Sequence, residues 1–186
     1  IVWELSIDTL KAFKEVWIAT YMFEGSQMSA YLKSYGANYE LIKFGNKPSD
    51  IKHLVNISDN KHINDVGVKT TALSSSHFKT NKKVLCEQLA KNLDNYFRNH
   101  AKAKKTDRLW TSFKEVSSSV AGTRYKDEWL AFNTKATNEY KDKSNLAYLL
   151  NLYPNPMVVK ASAMKGYPVK EDIFALSEMV QWIWRS

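Results

Sequence analysis

The sequence predicts one α/β domain, a parallel sheet flanked by helices. Three observations predict it: a strand, helix and strand pattern within residues 15–44, two later apolar runs short enough for buried strands, and two stripes of apolar residues at helical spacing.

Residues 15–22 hold Val16, Trp17, Ile18, Thr20 and Tyr21 in a continuous β-rich run, which predicts a central strand closed by the turn at Gly25. Ser26 is a candidate helix cap, and Met28, Tyr31, Leu32 and Tyr35 then share one helical face before Gly36 offers a left-handed stop. Residues 39–44 read as a second strand, which makes a parallel crossover unit with its helix over the sheet. Residues 45–79 are polar, carry Pro48, Gly67 and the run Ser74, Ser75 and Ser76, and read as an insertion with weak strand character around residues 51–57.

Leu85, Leu89, Leu93, Tyr96 and Phe97 form an apolar stripe, so residues 81–99 are predicted to be a long amphipathic helix. Residues 129–132 and 146–150 read as buried strands joined by a polar loop over residues 133–145. Glu171 and Asp172 suit a helix start, and Ile173, Leu176, Val180, Ile183 and Trp184 continue the helical pattern. A first residue of Ile1 and an end at Ser186 within this pattern predict a piece of a longer chain, with residues 1–186 forming a single domain.

The net charge of +8 is concentrated, because residues 79–114 hold ten Lys or Arg against three acids. Such a field favours polyanions, nucleic acid first among them. In the same stretch Lys102, Lys104, Lys105 and Arg108 are candidate phosphate contacts and Trp110 a candidate base-stacking surface. The lone Cys86, set among Val84, Leu85 and Leu89, reads as a buried small hydrophobe and a reducing, cytoplasmic setting. No apolar run approaches the roughly 20 residues of a membrane span.

The six glycines are too scattered for a phosphate-binding loop, and no GxxxxGK[ST] segment occurs. His53, His62, His77 and His100 show no metal-binding spacing and read as surface residues, so no metal site is expected. No GxSxG elbow is present, and Cys86 has no partner that would activate it. A small-molecule enzyme therefore has no acid-base constellation behind it.

The C-terminal third carries a family resemblance. Trp129 to Phe132 lead into a Thr-rich loop with Thr134, Thr137, Asn138 and Asp142, and Gln181 is followed four residues later by Arg185. This arrangement resembles the second RecA-like lobe of superfamily 2 helicases, and shorter segments around residues 20–25, 109–114, 136–140 and 176–185 resemble helicase-like proteins of Gram-positive phages and mobile elements. The resemblance covers most of the chain, and residues 45–76 match least. It departs from the family pattern at Tyr140, where glycine is usual, and at Trp182 and Trp184, where Arg and Gly are usual.

The resemblance implies a RecA-like fold in which Arg185 acts as an arginine finger with Gln181 beside it, Asp142 and Arg185 face nucleotide, and Thr134, Thr137 and Asn138 contact nucleic acid, DNA being favoured. It also implies ATP and magnesium held mainly by a first RecA-like lobe of the same parent chain, in the cytoplasm of a bacterium or phage-infected cell. A second reading from a different class is a non-enzymatic nucleic-acid-binding or replisome-interaction domain on a degenerate motor fold, suggested by Trp182 and Trp184.

Overall fold

In the computed structural model, residues 4–43, 52–67, 69–134 and 139–184 are described. Helices α1 (Ile7–Lys11) and α2 (Gln27–Ser34) come first, followed by a 3-10 turn at Lys52–Leu54 and the short α3 (Lys61–Asn64). Helix α4 (Ser75–Asn95) continues into a π turn at Tyr96–His100, and a 3-10 turn at Lys105–Asp107 leads into strand β1 (Arg108–Thr111). Helix α5 (Lys114–Ala121), strand β2 (Asn145–Tyr148) and helices α6 (Pro156–Met164) and α7 (Glu171–Ile183) complete the order.

The sheet is parallel, with Arg108 opposite Asn145 and Thr111 opposite Tyr148. On the other side of β1, Trp110 donates its N–H to the Glu128 carbonyl at 2.9 Å and accepts from the Leu130 N–H at 2.9 Å, a parallel bridge centred on Trp129. The middle strand is therefore β1. From it the chain passes through α5 to Trp129 on one side, and then through residues 131–144 to β2 on the other.

Alternation along the strands separates two cores, because successive side chains of a strand point to opposite faces. Trp110, Trp129, Ala147 and Leu149 pack with Leu85, Leu89, Leu93 and Phe97 from α4 and its π turn and with Val116 and Val120 from α5. Leu109, Leu130, Leu146 and Tyr148 pack with Trp182 from α7. Helices thus cover both faces, as a buried parallel sheet requires.

The local causes are ordinary ones. Ser74 accepts from the His77 N–H at 3.2 Å and caps α4, whose buried Phe78, Leu85, Cys86, Leu89 and Leu93 recur at helical spacing. Ser26 caps α2 through the Ser29 N–H at 3.1 Å. Asn155 caps α6, with Pro156 in the first turn. Gly122, at φ 56°, ends α5 in a conformation that a β-carbon would strain.

Several sequence expectations are corrected. Residues 15–22 form no strand, and Val16, Trp17, Ile18, Tyr21 and Met22 are exposed. Residues 39–43 are likewise exposed and form no strand, so the expected N-terminal crossover unit is absent among the described residues. Among the described residues neither run pairs with a strand of the sheet. Residues 129–132 contribute a single bridge rather than a strand. The helix expected from residue 81 does start at a kink, Asn81 at φ −125° and ψ 26°, but a further helical stretch capped by Ser74 and burying Phe78 precedes that kink within α4, so the predicted insertion loses its last residues to it. The described part of the insertion holds a 3-10 turn over Lys52–Leu54 where weak strand was expected.

Candidate functional site

In an open parallel sheet the crevice for a ligand forms beyond the carboxyl ends of the strands, where consecutive crossovers run in opposite directions. Here that point lies after β1. Thr111 and Ser112 are fully buried there, and Ser112 Oγ donates to the Phe113 carbonyl at 3.2 Å. Thr111 Oγ1 has no hydrogen-bond partner among the described residues. Thr134 follows the Trp129 bridge in a tight turn, its N–H donating to the Ala131 carbonyl at 3.1 Å, so it stands at this same end of the sheet.

Asp142 does not join it. Its neighbours Lys143 and Ser144 are tied to the start of β1, through Lys143 Nζ to the Thr106 carbonyl at 2.7 Å and the Ser144 N–H to the Asp107 carbonyl at 3.0 Å. Asp142 is exposed in a turn at the amino end of the strands. Thr134 and Asp142 therefore stand at opposite ends of the sheet, and Thr137 and Asn138 between them in sequence lie outside the described residues.

Gln181 sits half-buried on α7 and donates its amide to Ser177 Oγ at 3.2 Å, one turn earlier. The next residue, Trp182, is completely buried and packs its ring 5.7 Å from that of Tyr148, which fixes the helix on the sheet. Arg185 lies outside the described residues.

The basic segment is resolved into cations with different roles. Lys102 and Lys104 are exposed on the loop before β1. Lys105 is exposed too but pairs with Asp127 at 2.7 Å, and the hydrogen bond it donates to that carboxylate holds its pKa above the ordinary lysine value. Arg108 is committed to structure: its Nε donates to the Ala103 carbonyl at 2.9 Å, and its guanidinium lies 5.6 Å from the Phe97 ring centre and 5.5 Å from that of Tyr125.

Trp110 corrects the sequence reading outright. It has no exposed surface and donates its indole N–H to the Tyr125 carbonyl at 2.7 Å, so it cannot stack on a base. Aromatic and basic residues share this segment because the aromatics fill the core while the lysines remain outside.

Sequence reading missed two features. Asp94 is a hub that accepts from Arg124 at 2.9 Å, Arg98 at 3.3 Å and the Tyr125 hydroxyl at 2.8 Å. Its partners Arg124 and Tyr125 lie in a distant part of the chain, which no local pattern reveals. Glu128 is buried, and neither carboxylate oxygen has a partner among the described residues. Its one sequence signal is a pair of acids, Asp127 and Glu128, directly before an apolar run.

Burial, opposed by the hydrogen bond from Tyr125 and the two arginines, leaves Asp94 below the usual aspartate value. Burial and the Asp94 hydrogen bond push Tyr125 up to about 12. A depressed carboxylate stabilises the fold above its unfolded pKa and loses that contribution as pH falls, whereas a raised phenol stabilises it below the unfolded value of 10 and loses that contribution as pH climbs toward about 12. Stability measured in urea is therefore expected to fall below about pH 4 and again above about pH 10. Tyr125→Phe should remove most of the alkaline limb.

Burial raises the thiol pKa of Cys86, consistent with a packed hydrophobe rather than a nucleophile. Among the described residues no cluster of His, Cys, Asp or Glu is arranged to hold a metal ion, and no helix is long and apolar enough to cross a membrane.

A parallel sheet covered on both faces by helices, with its switch point at the carboxyl end of the middle strand, defines a Rossmann-like α/β domain. The family model of the YonV C-terminal Rossmann-like domain matches residues 49–186, and the chain belongs to that family. It is similar to the SPbeta prophage-derived protein YonV of Bacillus subtilis (strain 168), with 35% identity over 201 aligned positions that cover 99% of this chain and 48% of the relative. The chain thus spans about half the length of that curated relative. No solved structure matches.

Proposed function

We propose that this chain is the second motor lobe of an ATP-dependent nucleic-acid helicase or translocase, presenting Arg185 to a nucleotide gripped by another lobe of the parent protein. The observation that carries this reading is the fixed seat of α7. Trp182 is sealed against Tyr148, and so a short step further along the chain Arg185 follows a helix that cannot roll on the sheet. The position of Thr134 at the carboxyl end of the strands supports a role in phosphate contact.

This chain does not fit the grip on ATP and magnesium. Its sequence has no glycine-rich phosphate loop, and the described residues offer no ligand cluster for the ion. Both groups are therefore assigned to the first lobe, where magnesium would neutralise phosphate charge. What this chain adds is a planar, permanently charged guanidinium. The test is ATP turnover by the full-length parent protein, expected to be stimulated by DNA and absent from the 186-residue chain alone. A parent protein that hydrolyses no ATP with either DNA or RNA would defeat the motor reading.

Exposed Lys102 and Lys104 favour a second reading, a non-enzymatic nucleic-acid-binding module, because they present charge at the opposite end of the sheet from Thr134. Under both readings the double variant Lys102→Ala, Lys104→Ala is expected to weaken nucleic-acid binding and to lower the slope of log affinity against log salt by about 1.4–1.8. Arg108→Ala should instead reduce stability. The two readings separate on ATP turnover.

A further inference from the structure

We propose that the cavity beside β2 takes one unpaired nucleotide of a nucleic-acid strand, with its base against Tyr96 and Trp184 and its phosphate at Lys141. This contact rests on the nucleic-acid binding that both readings above share, and it lies beyond either of them. The cavity measures about 680 Å³. Its lining includes Tyr96 from the π turn, Asn64 from α3, Asn92 from α4, Lys141 and Lys143 from the turn before β2, and Trp184 from the end of α7. Ligand cavities span about 300–1,000 Å³ and combine apolar and aromatic walls with a few placed polar groups.

The aromatic and amide walls match a base. Trp184 keeps 40% of its surface exposed, although Trp182, two residues earlier, is completely buried. A large aromatic face left open beside a cavity is a stacking surface, and every nucleobase has a face to stack on it. Asn92 spends its amide N–H on the Ile63 carbonyl at 2.7 Å, and Asn64 spends its own on the Ser58 carbonyl at 2.6 Å. That leaves their amide oxygens as acceptors at the wall. Cytosine, adenine and guanine carry amino groups that donate to such oxygens, whereas an aliphatic occupant would displace water from them and return no hydrogen bond.

The rim supplies the charge. Lys141 is exposed and joins no ion pair among the described residues. Lys143 Nζ donates to the Thr106 carbonyl at 2.7 Å and the Ser144 N–H to the Asp107 carbonyl at 3.0 Å, which ties the rim to the loop that carries Lys102 and Lys104. Lys102 is held at φ 45°, a left-handed conformation that favours glycine, so this loop keeps a lysine there at a backbone cost. A strand whose base enters the cavity therefore passes its neighbouring phosphates over that loop. The strand is single, because pairing and stacking in a duplex already occupy the base faces and amino groups that the cavity would engage.

Photo-cross-linking of the full-length protein to a single-stranded oligodeoxynucleotide that carries 5-iodocytosine, with the modified residue located by mass spectrometry, tests this placement. Cross-links are expected at Tyr96 or Trp184, and at least about tenfold fewer once the oligonucleotide is annealed into a duplex. Trp184→Ala is expected to weaken single-strand binding about 5- to 150-fold with the salt slope unchanged, and Lys141→Ala to lower that slope by about 0.7. The wild-type cross-link decides alone should either variant unfold. Binding without a cross-link at either residue would overturn the cavity assignment and leave the contacts of Lys102 and Lys104 standing. An equal yield from the duplex, or displacement of the oligonucleotide by cytidine monophosphate at equal concentration, would overturn the single-strand assignment. A parent protein that shows the cross-link but hydrolyses no ATP would retain the cavity assignment and lose the motor reading alone.

Discussion

Trp110→Ala is expected to lower the free energy of unfolding by about 3–5 kcal/mol, measured by urea denaturation. The indole is completely buried at the middle of β1, and its backbone carries the bridge to Glu128 and Leu130. Truncation leaves a void among Leu89, Leu93, Phe97 and Val120 and strips the Tyr125 carbonyl of its 2.7 Å donor. Domains of this size have total stabilities of about 5–15 kcal/mol, so the alanine variant approaches the limit of folding. Trp110→Phe retains most of the apolar volume and isolates the unpaired carbonyl, at a cost of about 1–3 kcal/mol. If Trp110 met nucleic acid instead, the phenylalanine variant would lose affinity and keep its stability.

How legible this fold is from sequence depends on where each element finds its stabilisation. Helix α4 is readable because its stripe from Leu85 to Leu93 follows helical spacing within a single segment, and α7 because Glu171 and Asp172 open an apolar pattern. The apolar run at β2 is readable for its brevity and its bounds, although a sequence cannot show which strand it pairs with. Residues 15–22 have the composition of a strand, but composition states only what a segment can do once an edge is available. The same limit applies to Trp110 and Arg108. Aromatic and basic residues in alternation fit either a stacking platform or a core rimmed by lysines, and the bridge to Trp129 decides for the core. Arg108 is drawn in by a carbonyl and two ring faces from separate parts of the chain.

The candidate site is less legible than the fold. Thr134 lies where a strand-terminal loop predicts it, at the carboxyl end of the sheet. Asp142, eight residues later, reaches the opposite end, because Lys143 and Ser144 are tied to the carbonyls that precede β1. Nothing in the spacing of a loop shows whether it doubles back or crosses the sheet. The Asp94 hub is invisible for a related reason: its contacts with Arg124 and Tyr125 form only when α4 and α5 pack together.

On the proposed motor reading, Arg185→Ala in the full-length protein is expected to lower kcat for nucleic-acid-stimulated ATP hydrolysis by about 10³-fold, with KM changed little. A cation that meets charge developing on the terminal phosphate acts more strongly in the transition state than in the bound ground state, so its loss appears in kcat. Arg185→Lys should recover little of the rate, because an ammonium cannot engage two phosphate oxygens in the plane of a guanidinium. Gln181→Ala is the contrasting variant. Its amide already donates to Ser177 Oγ within α7, so the expected loss is smaller and shared with the seating of the helix. DNA affinity should be unaffected by Arg185→Ala, whereas it falls in the Lys102→Ala, Lys104→Ala variant. Loss of less than tenfold in kcat for Arg185→Ala, in a parent protein that does hydrolyse ATP, would remove the finger assignment while leaving the Rossmann-like fold and the seat of Trp182 as they are.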